Sequence, residues 1–190
     1  MTPQETARLL EETGASLTGH FLLSSGRHSD RYVEKARLLE RPDVAMRIAG
    51  EMASWFERVD VVVAPAVGAV ALGFAVALAA DARSIFAERD AGRMALRRGF
   101  DIEPGERTLV VEDVVTTGAS ASEVWELVGE RGAERLGVAA VIDRTGGALA
   151  FPLRAVLRVD AESWDAASCP LCASGMPLTS RGSRHLQASG

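Results

Sequence analysis

The chain has 190 residues, 47% of them hydrophobic and 25% charged, and a formal net charge of -5. That length holds one domain with a full hydrophobic core and is too short for two sizeable ones, and the composition excludes wholesale disorder. The acidic balance argues against a field that gathers nucleic acid or an anionic membrane, so any anionic ligand has to be met by local features.

In chain order, Thr2-Pro3-Gln4-Glu5 reads as a helix start, with Thr2 as cap, Pro3 at the first helical position and Glu5 closing a capping box. Gly14 is the natural stop. A donor-rich string follows, Gly19-His20-Phe21-Leu22-Leu23-Ser24-Ser25-Gly26-Arg27-His28-Ser29-Asp30-Arg31-Tyr32, which on composition alone is a surface turn. From Pro42, the recurrence of Ala45, Ala49, Met52 and Phe56 predicts a helix with one buried stripe.

The period then changes. Asp60-Val61-Val62-Val63-Ala64 is the β-branched run of a strand buried on both faces, and it ends at Pro65. A small-residue helix over 71–80 follows, then strands at 84–87, 108–111, 136–142 and 153–159, with a helix over 121–131. The apolar stretch 59–80 is broken by Asp60, Pro65 and two glycines, so it is not a membrane span. The N-terminus lacks a basic region followed by an apolar core, so no secretory signal is expected and a cytoplasmic location follows.

This alternation predicts an α/β fold, a mainly parallel central sheet flanked by helices, with ligands at the carboxyl ends of the strands. Residues 1–172 are expected as one domain and the polar, Ser- and Gly-rich end, 173–190, as a mobile tail. Cys169 and Cys172 form a C-x-x-C pair. A structural zinc site asks for four ligands and no second pair exists, so plain packing is the first reading, beside a shared metal or redox role.

Chemistry concentrates in Glu112-Asp113-Val114-Val115-Thr116-Thr117-Gly118-Ala119-Ser120. Two adjacent carboxylates between aliphatic residues are costly to bury unless they gain donors, such as the vicinal hydroxyls of a ribose ring. Thr116 to Ser120 offers hydroxyls, a glycine and the free N–H groups of an opening helix, which together cradle a phosphate. An acidic turn with a helix cap is the plainer alternative. No G-x-x-x-x-G-K-[ST] loop occurs, and no G-x-G-x-x-G follows an expected strand.

The string from Val110 to Gly118 resembles the phosphoribosyl pyrophosphate motif of the type I phosphoribosyltransferases. The resemblance implies a pyrophosphate loop at Ala64-Pro65-Ala66-Val67-Gly68, with Val67 and Gly68 among the donor contacts. The N-terminal string, and Val141-Ile142-Asp143-Arg144-Thr145-Gly146-Gly147, resemble the segments that meet orotate in the orotate phosphoribosyltransferases. On this likeness Ser24, Tyr32, Thr116 and Arg144 face orotate. A guanidinium at a strand end suits that role on its own terms, since it grips a carboxylate with two parallel bonds; a surface ion pair is the alternative.

The likeness spans roughly residues 19–147 and implies a small N-terminal hood over about 1–40 and a flexible active-site loop. It departs from the family at two places. Ser24 stands where many members carry lysine, and in the loop Arg89 falls on a lysine position, Arg93 lies one place from a second, and no histidine is present. Arg89 and Arg93 are the expected partners of the departing pyrophosphate, and Arg97 and Arg98 are read as flanking a β-ribbon. Glu112 and Asp113 are expected to orient the ribose. The family further implies Mg²⁺ held mainly through substrate rather than by direct protein ligands, and a homodimer with shared sites. Two alternatives stay open: transfer to another base, and a regulatory protein that senses the donor without turnover.

Overall fold

The structure is a computed structural model and describes residues 1, 3–23, 25–145, 149–159 and 163–181. Helix α1 (Pro3–Glu12) leads into strand β1 (Ser16–Leu22), which pairs antiparallel with β2 (His28–Val33). Gly14 stops α1 at φ 62°; the cap residue Thr2 lies outside the described residues. A single turn, α2 (Ala36–Leu39), joins this hairpin to α3 (Pro42–Ala53). The buried stripe of α3 is Val44, Ile48, Ala49, Met52 and Ala53, so the face turns slightly from the one expected and leaves Ala45 half-buried.

The central unit then runs β3 (Val61–Pro65), α4 (Val70–Ala80), β4 (Arg83–Asp90), β5 (Arg93–Leu96), β6 (Arg107–Val115), α5 (Ala119–Glu130), β7 (Glu134–Asp143) and β8 (Leu153–Arg158). Its sheet has the order β5-β4-β3-β6-β7-β8, parallel throughout except for the β4–β5 hairpin. Strand side chains alternate between two cores, as a period of two requires. Val62, Leu109, Val111 and Val141 pack with α3 and α4, whereas Val61, Val63, Val110 and Val138 pack with Val124, Trp125 and Val128 of α5. The continuous apolar runs of β3 and β6 have this cause: both faces are covered.

Two expectations are corrected here. Strand β6 does not stop at Val111 but carries the pairing with β7 on to Val115, so Glu112 and Asp113 belong to a strand and not to the loop after it. The active-site loop expected over the basic segment is a hairpin, the β-ribbon that Arg97 and Arg98 are expected to flank, closed by a two-residue turn with positive φ at Ala91 (48°) and Gly92 (87°), the twist that tight hairpins favour.

Toward its C-terminal end the chain returns to the first hairpin. Strand β9 (Ser163–Trp164) pairs with β2, a one-turn helix α6 (Pro170–Ala173) follows, and β10 (Thr179–Ser180) pairs parallel with β1. The result is a second sheet, β10-β1-β2-β9, and it takes in residues 179–180 of the segment expected as tail; residues 182–190 lie outside the described ones.

Candidate active site

Because β3, β6 and β7 are parallel and adjacent, their carboxyl ends open onto one edge of the sheet, and three loops meet there. The end of β6 contributes the two carboxyls. Asp113 is buried; its Oδ1 accepts the Val114 N–H at 2.6 Å and its Oδ2 pairs with Lys35, from the turn after β2. Glu112 is 9% exposed and its Oε1 accepts the Asp113 N–H at 3.0 Å. Burial first, and the Asp113 charge second, push the Glu112 carboxyl up to about 8, so it is mostly protonated at neutral pH without a ligand.

The loop after β3 closes over the same carboxylate. Its Ala66 N–H donates to the Ala87 carbonyl at 2.7 Å, which fixes the loop to β4. A Cβ added at Gly68 would stand 2.8 Å from Asp113 Oδ2, so only glycine lets this backbone lie against the acid. Val67 is 86% exposed at the loop's tip.

After β6 the chain turns through Thr116 and Thr117, both exposed, into α5. Gly118 is the N-cap, at φ 76°, and a Cβ there would meet Leu149 Cδ2 at 2.8 Å. Gly118 has no side chain with which to cap the helix, and among the described residues only a long bond, Ala119 N–H to Thr117 Oγ1 at 3.4 Å, reaches the first turn from a side chain. The first turn of a 12-residue helix thus presents donors and the positive end of its dipole to the edge where the carboxyls sit, a place for an anion. Ser120, half-buried, lies in the same turn.

Arg144 follows β7 directly, and its N–H donates to the Val115 carbonyl at 2.8 Å, which sets it beside the end of β6. Asp143 Oδ1 accepts the Thr145 N–H at 2.8 Å and its hydroxyl at 2.6 Å, turning the chain away. The Arg144 guanidinium makes no ion pair among the described residues, and burial lowers its pKa, opposed by Tyr32. Tyr32 itself is raised by burial and by Glu34, against the charges of Arg144, Lys35 and Arg181. Tyr32, on β2, and Arg144, directly after β7, are thus within electrostatic reach of one another. Ser24 and the glycines at 146 and 147 lie outside the described residues.

The hairpin arginines divide. Arg89 forms a two-pronged pair with Glu123 of α5, at 3.0 and 2.7 Å, and also donates to the Gly92 carbonyl at 2.8 Å. Arg93 makes no ion pair among the described residues and is exposed. Arg97 and Arg98 sit on Glu88, with Arg97 also 3.4 Å from Asp90 and Arg98 over the Phe86 ring. Sequence reasoning missed Lys35, whose partner stands 78 residues away. It also missed Glu123, the partner of Arg89.

Comparison with known proteins accords with this geometry. Residues 36–167 match the phosphoribosyl transferase domain. The chain is 44% identical to the orotate phosphoribosyltransferase of Caldicellulosiruptor saccharolyticus, over 98% of this chain and 100% of the relative. It is 49% identical to that of Thermotoga maritima, over 94% and 98%. Among solved structures, the orotate phosphoribosyltransferase of Mycobacterium tuberculosis H37Rv, in complex with Fe(III) dicitrate, superposes with a TM-score of 0.64 at 29% identity, covering 82% of this chain and 97% of that one. The Aeropyrum pernix enzyme has the same fold, with a TM-score of 0.68 at 24% identity over 80% and 93%. A buried acidic pair on β6, a glycine-capped helix behind it and near full-length likeness of this degree lead to one conclusion: the chain belongs to the phosphoribosyltransferase family, among the orotate phosphoribosyltransferases.

Proposed function

We propose that the protein transfers the phosphoribosyl group of 5-phosphoribosyl 1-pyrophosphate to orotate, giving orotidine 5'-monophosphate and pyrophosphate, in pyrimidine nucleotide synthesis in the cytoplasm. The observation that carries this reading is the meeting, at one sheet edge, of an acidic pair, a helix start with glycine as its N-cap and a strand-end arginine that makes no ion pair among the described residues. Thr116, Thr117, Gly118, Ala119 and Ser120 hold the 5'-phosphate through N–H groups and hydroxyls. Glu112 and Asp113 take the ribose hydroxyls, with Val114 and Val115 shaping the floor, and Val67 and Gly68 meet the pyrophosphate.

Arg144 grips the orotate carboxylate, with Tyr32 beside it and Ser24 and Thr116 completing the base site. As pyrophosphate leaves, positive charge develops on the ribose, and the Asp113 carboxylate stabilises it from a fixed, water-poor position. Arg93 neutralises the leaving group; Arg89 joins it by exchanging Glu123 for phosphate oxygens. Positioning and electrostatics supply the rate, and no side chain serves as general base.

The residues suit Mg²⁺ carried in by the substrate. Asp113 is already engaged by Lys35 and a backbone N–H, Glu112 is largely protonated, and the described carboxylates form no cluster of three ligands. An ion that keeps most of its water needs no more from the protein. When bound, it supplies charge neutralisation to the pyrophosphate. A homodimer completes the reading: Phe74 and Leu78, one turn apart on α4, are 63% and 62% exposed, an apolar face suited to a twofold contact. Sedimentation tests it.

The experiment for the acidic pair is Asp113→Asn. The expected variant folds, and turnover falls by about 10²-fold or more, the loss typical of removing one fixed charge partner of a transition state. A normally folded, fully active variant contradicts the role.

A further inference from the structure

Away from the active edge, four side chains from distant parts of the chain converge. His20 of β1, His28 of β2, and Cys169 and Cys172 at the start of α6 bring one ligand atom each to within 4.8 Å of one another. His20 Nε2 lies 2.9 Å from His28 Nδ1, 3.5 Å from Cys169 Sγ and 3.8 Å from Cys172 Sγ, and Cys172 Sγ lies 3.3 Å from His28 Nδ1. The second ligand pair that the cysteines seemed to lack is thus a histidine pair, supplied by the hood hairpin.

From this convergence we propose that the protein carries a structural zinc ion, held tetrahedrally by His20, His28, Cys169 and Cys172. Zinc–sulfur bonds of about 2.3 Å and zinc–nitrogen bonds of about 2.0–2.1 Å place tetrahedral ligands about 3.3–3.8 Å apart, the spacing these atoms nearly have already. Two sulfurs and two imidazoles are a donor set that zinc favours, and four protein ligands close the site against catalysis. The four atoms lie too close together to enclose an iron–sulfur cluster.

The surroundings fit. His20 Nδ1 donates to the Met176 carbonyl at 2.8 Å, which fixes the tautomer with Nε2 unprotonated and facing the other three groups. His20, His28 and Cys169 are buried and Cys172 is exposed, so three ligands are shielded and an ion has a way in. The thiols are not joined as a disulfide. A redox C-x-x-C pair has no need of two histidines 149 and 144 residues away. Closing this loop ties the segment around α6, and with it β9 and β10, to the hairpin that carries Tyr32.

Elemental analysis of the full-length protein, purified with reductant and without chelator from zinc-supplemented cells, tests the proposal. About one zinc per chain is expected, reduced several-fold in Cys172→Ser. Wild-type protein stripped of metal and given Co²⁺ supplies a readout independent of any variant. Intense visible bands of a tetrahedral site with thiolate-to-cobalt charge transfer are expected, as is a fall in Tm on metal removal that Zn²⁺ restores. Wild-type protein without stoichiometric zinc that gives only the weak spectrum of hydrated Co²⁺, or that holds a Cys169–Cys172 disulfide under reducing purification, overturns the proposal.

Discussion

Glu112 ties the electrostatics of the site to the stability of the fold, and Glu112→Gln measures that tie. An isolated glutamate titrates near 4.5, whereas this one, desolvated and beside Asp113, is pushed up to about 8. A raised carboxyl is no burden at acid pH, where folded and unfolded chains both carry the proton. Between about 4.5 and 8 the unfolded chain gives its proton up and the folded one keeps it, so stability falls as pH rises through that window. A shift of this size at about 1.4 kcal/mol per unit is on the order of 4–5 kcal/mol in full, and the 9% exposure of the side chain leaves little solvent screening to reduce it. Glutamine has nearly the same shape and never pays this proton cost. Urea unfolding of ligand-free wild type and Glu112→Gln at pH 5 and at pH 8.5 should therefore give similar stabilities at the lower pH and a variant more stable by several kcal/mol at the higher. Parallel pH profiles for the two proteins would refute the reasoning.

Two further outcomes follow from the site geometry. Arg144→Lys keeps the charge and loses the two-pronged grip, so the KM for orotate should rise roughly 10- to 100-fold with that for the phosphoribosyl donor little changed; equal changes in both would remove Arg144 from the base site. Gly118→Ala combines a positive φ with a Cβ 2.8 Å from Leu149 Cδ2, so it should lower stability by about 1–3 kcal/mol and weaken donor binding, as thermal melts with and without donor would show.

The sheet was legible because its strands are buried on both faces: the β-branched run at 61–63 and the apolar run at 109–111 have few other uses. The continuation of β6 through Glu112 and Asp113 was not, since charged residues read as the end of a strand and only pairing with β7 keeps them in one. The hood sheet escaped notice for a similar reason. Its hairpin is polar and donor-rich, and β9 and β10 are two residues each, ordered by the neighbour they join and not by any local period.

Long-range partners explain the remaining gaps. Nothing near Lys35 points to Asp113, and nothing near Arg89 points to Glu123. The cysteines were visible as a pair; what sequence order concealed was that the strand hairpin carrying His20 and His28 near one end and a single helical turn near the other share a corner. The acidic pair and the threonine–glycine turn, by contrast, are contiguous, so the chemistry proposed for them depends on no long-range contact.

The most direct test of the proposed activity is incubation of the purified protein with phosphoribosyl pyrophosphate, Mg²⁺ and, separately, orotate, uracil, adenine and hypoxanthine. Orotate should disappear with equal yields of orotidine 5'-monophosphate and pyrophosphate while the other bases persist; consumption of another base with orotate untouched would contradict the assignment of Arg144 and the hood to orotate.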